Sequence, residues 1–382
     1  MVQHSSQAPV VHQPVIESLE CRRLFTTYTI SDLNLDSGTS FGVNDTSNTG
    51  IDVNAKGAVA GTGGALGNPD LGNATLLLPA VGAPGFQAPV RVDTLGSSFA
   101  KGVNDKGDVV GQSDDSNFVP HAFVSLLGAG NTFTTTSIGA LPKLKGSIAY
   151  AINNKRQVVG SSGTLEAGQT AFVWQKNAAG KGVLTALPKL STHTFGGLAP
   201  TSTAVAINDA GVIVGRSSDS NLYNRAVMWK KVGTKWSAVN INPPAGVYGS
   251  NAYSINAKGF ITGDYIGKDF KTHAFVRGPF TPGKITFREI KPLAGNATLL
   301  PNAINSKNQI VGIVETAGGD PTAVLCTVAG SKVTVTNLNS LLPAGSGWVL
   351  DEAMSINAKG QIVGLGKHNS REEFGFILSP VA

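Results

Sequence analysis

Short apolar stretches alternate with polar, glycine-rich stretches along most of this chain. The apolar runs are rich in Val, Ile, Thr and Phe, and they are bounded by Gly, Asn, Asp and Ser. No long segment shows the 3.6-residue period of an amphipathic helix. The pattern therefore predicts many short β-strands joined by tight turns.

One pentapeptide recurs throughout the sequence. The stretch INAKG occupies residues 255–259 and 356–360, and near-copies occur five more times. The copies follow one another about every fifty residues, a spacing typical of repeat architectures. The asparagines at their second position are Asn54, Asn104, Asn153, Asn208, Asn256, Asn305 and Asn357.

Each repeat has the same internal order. A strand of small residues leads into the pentapeptide, and a second strand such as VVGQ follows it. After a polar loop comes a third strand such as HAFVS, and then a fourth that ends near Leu or Pro. Four strands in about fifty residues match the size of a β-propeller blade. We predict an all-β fold: a seven-bladed β-propeller of four-stranded antiparallel blades over residues 27–382, behind a disordered leader at 1–26.

The pentapeptide reads as a structural turn. Its Asn side chain is expected to accept hydrogen bonds from the following backbone amides. Its fifth residue, which is the fourth of the turn counted from Asn, needs a left-handed backbone, which Gly adopts most readily. Asn308 and Arg156 replace Gly in two copies, and the Arg156 turn should be the more strained. The glycines assigned to this role are Gly57, Gly107, Gly211, Gly259 and Gly360.

The strand before each turn is predicted to be the innermost of its blade. Side chains two and four positions before the asparagine are mostly small, as at Ala204 and Ala206, which permits close approach near an axis. The seventh repeat ends in FGFILSPVA, a third strand without a fourth, whereas residues 28–35 form a strand without a repeat. We expect residues 28–35 to complete the last blade and so to hide two sheet edges.

Composition excludes several classes of function. The net charge is +6 and the lysines are scattered, which argues against a nucleic-acid partner. No run of 18 apolar residues exists, so no transmembrane segment is predicted. Cys21 and Cys326 are too few for a disulfide framework and lack CxxC spacing, so we interpret both as incidental thiols. We expect a monomer without a cofactor.

Charge placement suggests where binding would occur. The third turn position would form a ring of lysines on one face, and this ring could dock on an anionic polymer or simply favour solubility. Loops on the opposite face carry acidic candidates for binding, whose spacing is a poor match to a calcium loop, and we predict no metal site. The lysines are Lys56, Lys106, Lys155, Lys258, Lys307 and Lys359, and the acids are Asp114, Asp115, Asp219, Asp264 and Asp269.

Two stretches resemble known families. The third strands HAFVS and HAFVR, preceded by A-x-x-I-N-x-x-G-x-V-V-G, resemble the bacterial HAF-type extracellular repeat family over residues 48–380. That resemblance implies a β-propeller-like fold and an extracellular location, with no common activity. Residues 16–25, IESLECRRLF, resemble the V-E-x-L-E-x-R-x-L-L leader motif of planctomycete surface or exported proteins.

The sequence lacks two common catalytic motifs, H-E-x-x-H and the P-loop. We therefore expect a non-enzymatic scaffold, secreted or on the cell envelope, that binds a protein or an anionic glycan. Three alternatives stay open. The first is a glycan hydrolase or lyase with acidic residues, Asp264, Asp351 and Glu352, at the upper mouth of the channel. The others are a structural module of an envelope layer and a cytoplasmic location.

Overall fold

The predicted architecture is confirmed. A computed structural model describes residues 27–33, 51–65, 68–82, 85–92, 97–163, 168–243, 248–281, 284–293, 297–315, 319–330, 332–369 and 371–381. These residues form seven four-stranded antiparallel sheets, which are the blades of a β-propeller. Two short 3₁₀ turns, Ala129–Asn131 and Leu338–Leu341, lie between strands.

The strands follow the repeats of the sequence. Strand β1 (Tyr28–Asp32) precedes the first repeat. The first blade contains β2 (Asp52–Val53), β3 (Val59–Ala65), β4 (Asn68–Leu77) and β5 (Val90–Arg91), and the second contains β6 (Ser98–Val103), β7 (Val109–Asp114), β8 (Pro120–Leu127) and β9 (Phe133–Ser137). The third contains β10 (Ser147–Ile152), β11 (Val158–Ser162), β12 (Thr170–Lys176) and β13 (Gly182–Ala186).

The remaining blades repeat this pattern. The fourth contains β14 (Ser202–Ile207), β15 (Ile213–Ser218), β16 (Asn224–Val232) and β17 (Lys235–Asn240), and the fifth contains β18 (Gly249–Ile255), β19 (Ile261–Ile266), β20 (Thr272–Thr281) and β21 (Lys284–Ile290). The sixth contains β22 (Thr298–Ile304), β23 (Gln309–Glu315), β24 (Thr322–Ala329) and β25 (Lys332–Asn337), and the seventh contains β26 (Trp348–Ile356), β27 (Ile362–His368) and β28 (Arg371–Pro380).

The N-terminal strand closes the ring. β1 pairs with β28 from Tyr28 opposite Pro380 to Asp32 opposite Phe376, so it supplies the outer strand of the seventh blade. Tyr28 and Leu33 are buried there. Closure by an N-terminal strand, predicted from the unpaired repeat, is thus confirmed for residues 28–33. Residues 34 and 35 lie outside the described part of the chain.

Antiparallel order gives the disc two distinct faces. In each blade the first strand is innermost, and the pentapeptide turn joins it to the second strand. The third strand runs back toward the same side, so the hairpin between third and fourth strands lies on the side of the pentapeptide turns. We call this side the turn face and the opposite side, with the second-to-third-strand loops, the loop face.

The repeated third-strand motif contributes buried side chains to the apolar core between blades. Its Phe is fully buried in four blades, at Phe123, Phe172, Phe275 and Phe376. The backbone amide of the preceding Ala donates to a serine of the next blade, as from Ala122 to Ser147 Oγ at 2.9 Å. The first four blades are therefore each joined to the next blade by an apolar contact and by a buried hydrogen bond of this kind.

A glycine in each second strand permits this packing. In blades two to seven the first strand has a register irregularity shortly before its turn, which brings its backbone over the second strand. A Cβ on Gly263 would collide with the carbonyl oxygen of Asn251 and would lie 2.9 Å from the Phe275 ring. The V-V-G pattern of the second strands is thus explained by close backbone approach.

Candidate functional site

Each turn asparagine bonds its own turn. Asn54 Oδ1 accepts from the backbone amides of Lys56 at 3.0 Å and Ala58 at 2.9 Å. The backbone amide of Gly57 donates to the Asn54 carbonyl at 3.0 Å. Gly57 has φ +91°. The same geometry recurs in the other repeats, and Arg156 and Asn308 adopt φ +61° and +59° where glycine is replaced.

The other end of each asparagine reaches the next blade, a role that the sequence did not reveal. Asn54 Nδ2 donates to the carbonyl oxygen of Asn104 at 2.8 Å. The series continues around the axis, and Asn357 Nδ2 returns to the carbonyl of Asn54 at 2.9 Å. The intermediate donors are Asn104, Asn153, Asn208, Asn256 and Asn305, each bonded to the carbonyl of the next turn asparagine. This closed asparagine ring fixes all seven turns on one face.

The predicted lysines surround the asparagine ring. All six turn lysines are exposed on the turn face, and in the part of the chain that is described none of them forms an ion pair. Lys359 Nζ reaches only the backbone carbonyl of Lys56, at 3.4 Å. Ala210 occupies the equivalent position in the fourth blade. The six lysines therefore form a positively charged ring with one gap, at Ala210.

A second set of lysines lies on the same face, farther from the axis. These residues belong to the hairpins between third and fourth strands. Such a hairpin lies beside a pentapeptide turn in the third blade, where Gln157 Nε2 donates to Gln175 Oε1 at 2.9 Å. The six hairpin segments, residues 77–90, 126–133, 175–183, 230–236, 278–285 and 328–333, contain no Asp or Glu. The exposed hairpin lysines are Lys176, Lys181, Lys230, Lys231, Lys235, Lys284 and Lys332. The antiparallel order of the four strands in each repeat was the sequence signal that could have assigned these hairpin lysines to the turn face.

Acidic groups on the turn face are engaged in hydrogen bonds. Asn154 Nδ2 donates to Asp105 at 2.8 Å and to Asp209 at 2.9 Å, which links three turns. Buried Asp108 pairs with Arg156 at 2.8 Å. These carboxylates offset part of the positive charge near the axis, and among the residues that the structure describes no hairpin lysine forms an ion pair.

The first strands enclose an axial cavity of about 450 Å³. Tyr150, Tyr253 and Asn302 contribute polar groups to its wall, and Val205 and Met354 contribute apolar ones. Asp52 also lines it and accepts from Ser355 Oγ at 2.6 Å across the junction of the first and last blades. Burial raises the pKa of Asp52.

Three of the five predicted loop-face acids have a His or Arg partner in the same loop. Asp115 contacts His121 at 3.1 Å, Asp219 pairs with Arg225 at 2.7 Å, and Asp269 contacts His273 at 2.9 Å. Each carboxylate also accepts a backbone amide of its own loop. The hydrogen bond from the Val119 amide and then that from His121 hold the pKa of Asp115 below its usual value. The three acids belong to different blades and form three separate loop clamps.

The two other acids lie deeper. Asp264 accepts from Asn251 Nδ2 at 2.8 Å and from the Tyr253 hydroxyl at 2.9 Å, and burial raises its pKa. Asp114 accepts from Gln112 Nε2 at 3.4 Å, and partial burial raises its pKa as well. Among the described residues, no three His, Cys, Asp or Glu side chains come together in a way that would hold a metal ion. None of the helices found in those same residues is long and apolar enough to cross a membrane.

Seven four-stranded blades around an axial cavity define the class of this protein as a β-propeller. Within that class, the chain belongs to the family described as "protein of unknown function" (DUF3466), whose model matches residues 72–372. A search of curated proteins gives no match to the chain.

Solved structures with the same fold are distant in sequence. The β-propeller domain of the Trilobed protease from Pyrococcus furiosus, described as having an open velcro topology, has a TM-score of 0.50 and 11% identity, with coverage of 87% of this chain and 93% of that one. YCF48 from Cyanidioschyzon merolae has a TM-score of 0.50 and 13% identity, with coverage of 92% and 98%. A prolyl endopeptidase has a TM-score of 0.51 and 10% identity, and this chain spans 55% of it. At such identities the likeness shows the fold alone.

Proposed function

We propose that this β-propeller is a non-enzymatic binding scaffold whose turn face docks on an anionic polysaccharide of the cell envelope. The observation that carries the proposal is the distribution of lysines. Six turn lysines and seven hairpin lysines are exposed on one face, and the hairpins among them contain no acidic residue. A surface of one charge sign attracts a polymer of the opposite sign over a distance comparable to the Debye length.

A polymer fits this surface better than a small anion. The lysines are spread around a disc and do not converge on one point, because each blade contributes its own. Individual exposed charge pairs contribute little, about 0–1 kcal/mol each. Many such contacts along one chain add up through multivalency. An acidic protein would present similar chemistry and is tested below as a separate outcome.

The sequence motifs support a location outside the cytoplasm. The leader motif at residues 16–25 resembles that of exported planctomycete proteins, and the HAF-type third strands resemble an extracellular repeat family. The hydrolase or lyase alternative has less support. Its candidate Asp264 is buried and accepts hydrogen bonds from Asn251 and Tyr253, and its candidate Glu352 accepts from Asn302 Nδ2 at 2.8 Å. Both carboxylates therefore already have partners within the protein.

The test is binding to immobilised polygalacturonate, with polyglutamate as the acidic-protein arm and dextran as the neutral arm. The decisive variant changes the six turn lysines to Gln. A matched variant removes the same charge from the loop face by changing six lysines there to Gln. Those loop-face lysines are Lys143, Lys145, Lys268, Lys271, Lys291 and Lys367.

We expect the unmodified protein to bind polygalacturonate at low salt and to be released at about 0.5 M NaCl, where the Debye length falls to a few ångströms. The turn-lysine variant should bind about tenfold more weakly, and the loop-face variant should bind nearly as well as the unmodified chain. Equal weakening of both variants would show that only net charge matters. Retention on polyglutamate alone would reassign the partner to an acidic protein.

A further inference from the structure

The loop face presents a pair of stacked aromatic rings to solvent. Tyr248 and Phe270 stack with a centroid distance of 4.6 Å and an interplanar angle of 18°. Their exposed fractions are 41% and 73%. Tyr223, also half-exposed, belongs to the neighbouring loop of the fourth blade. Exposed rings stacked on each other form a flat apolar surface with a free outer side.

The backbone pays a conformational cost to present Phe270. This residue has φ +59°, a left-handed conformation that bulky residues adopt rarely. Its backbone amide donates to Gly267 at 3.0 Å, so the hairpin geometry requires the conformation. Five of the pentapeptide turns use glycine at their left-handed position. Phe118 adopts the same conformation in the second blade, with φ +58°, so Phe270 is distinguished by its stacking on Tyr248 and by the groove beside it.

Polar groups adjoin the aromatic pair. His273 contacts Asp269 at 2.9 Å through Nε2 and Glu289 at 3.0 Å through Nδ1. Burial by itself lowers the pKa of His273, but these two carboxylates outweigh it and raise the pKa. Tyr265 stacks against the imidazole at 5.0 Å. Both carboxylates stay partly exposed and keep free lone pairs for hydroxyl donors.

Phe270 and the ion-paired groups Asp269, His273 and Glu289 line one groove. A cavity of about 830 Å³ lies at the loop-face end of the fifth blade and the entry to the sixth, bounded by Phe270, His273 and Glu289 on one side and by Pro292 and Thr298 on the other. Its volume is within the range of small-molecule sites, about 300–1,000 Å³. Lys271 and Lys291 add ammonium donors at its edge.

We propose that this groove binds a short stretch of a neutral polysaccharide, with one sugar ring stacked on Phe270. The aromatic surface fits the C–H face of a pyranose, and Asp269 and Glu289 accept its hydroxyl groups. Charged groups at the rim are unsuited to an acyl chain. The carboxylates of Asp269 and Glu289 are offset by the ammonium groups of Lys271 and Lys291, so the groove does not select a strongly charged sugar, and the ligand differs in charge from the polymer proposed for the turn face.

The test is depletion of the full-length chain from solution by cellulose, xylan, mannan or starch at about 0.5 M NaCl, a salt concentration that screens turn-face docking. The decisive variant is Phe270→Gly. It removes the ring and also relieves the left-handed strain, so the melting temperature should not fall. The control is Phe118→Gly, because Phe118 has φ +58° and is 87% exposed in the equivalent loop of the second blade.

We expect at least one of the four polysaccharides to bind the chain, with about tenfold loss of affinity in Phe270→Gly, the size of effect expected for one aromatic contact. Phe118→Gly should bind as the unmodified chain does. Absence of binding to all four polymers, or equal loss in both variants, would overturn the proposal. Because the probes are neutral, either result leaves the polygalacturonate experiment unaffected.

Discussion

Each turn asparagine has two hydrogen-bonding ends, and only one of them serves its own turn. Asn256 Oδ1 accepts two backbone amides of its turn, at 3.0 Å each. Asn256 Nδ2 donates to the Asn305 carbonyl at 2.8 Å and to Asn308 Oδ1 at 2.9 Å in the next blade. The first role is local, whereas the second depends on how closely two blades approach.

Replacement of Asn256 by Asp should therefore separate the two roles. Aspartate keeps the acceptor for the turn but loses the donor, and it places a buried carboxylate against two acceptors. We expect the free energy of unfolding to fall by about 2–3 kcal/mol, the range for an unsatisfied buried polar group. Chemical denaturation at neutral pH measures this change.

Asn177 provides a matched control within the same chain. Its Oδ1 accepts from Ala179 and Lys181 amides at 3.0 Å each, so it forms the same turn, but it lies exposed in a third-to-fourth-strand hairpin. Asn177→Asp should change stability by no more than about 0.5 kcal/mol. A comparable loss in both variants would mean that the asparagine ring adds nothing to stability.

Two glycines of the fifth blade should respond differently to alanine. Gly263 needs space, because a Cβ there would collide with the Asn251 carbonyl, and we expect Gly263→Ala to cost about 3 kcal/mol. Gly259 needs only its backbone conformation, φ +81°, since nothing lies within 4 Å of a Cβ. Gly259→Ala should cost about 1 kcal/mol. Thermal unfolding of both variants decides the order, and a reversed order would contradict the packing explanation.

Local chemistry at the residue scale was accessible from the sequence, and contacts between blades were not. The asparagine acceptor and the left-handed glycine follow from a few consecutive residues. The donation from one asparagine to the next links residues about fifty positions apart, and no pattern in the sequence specifies that distance. The partners of Asp115 and Asp219 lie only six residues away, so the spacing was visible but its meaning depended on the loop conformation.

At the scale of elements, β1 is the strand on which ring closure depends. It pairs along its whole length with β28 and buries Tyr28 beside the core of the last blade. Removal of residues 1–36 should lower the melting temperature sharply, by about 10 °C or more, because an outer strand and its burial are lost. The control removes residues 1–26, which keeps β1 complete. Equal melting of the two truncated chains would show that β1 contributes nothing to closure.

The element order also explains why only half of the basic face was predicted. The turn lysines could be assigned to one face from the sequence because they occupy the same position of each pentapeptide. The hairpin lysines occupy different positions in hairpins of different length, as at Lys181 and Lys235. Only the antiparallel order of the four strands brings them to that face.

At the scale of the whole molecule, the fold separates two kinds of surface. The period and the number of repeats were enough to predict seven blades, because every copy carries the same turn. The groove beside Phe270 was not predictable, since it combines one loop of the fifth blade with the connection to the sixth. A repeated motif specifies the scaffold, whereas the groove arises from residues that differ between repeats.

This two-faced arrangement predicts how the disc lies on an anionic polymer. If the turn face docks, a cysteine at exposed Ala210, in the gap of the lysine ring, should be shielded, and a cysteine at exposed Ser116 on the loop face should stay accessible. Cys326 will not interfere, because burial raises the pKa of its thiol to about 12, and Cys21 is changed to Ser.

With polygalacturonate at low salt we expect maleimide labelling of Ala210→Cys to slow about tenfold, while labelling of Ser116→Cys stays unchanged. Labelling of Ala210→Cys should recover at about 0.5 M NaCl, since the Debye length becomes shorter than the lysine side chains. Equal protection of both cysteines would mean that the polymer covers both faces of the disc, and this would contradict docking on the turn face.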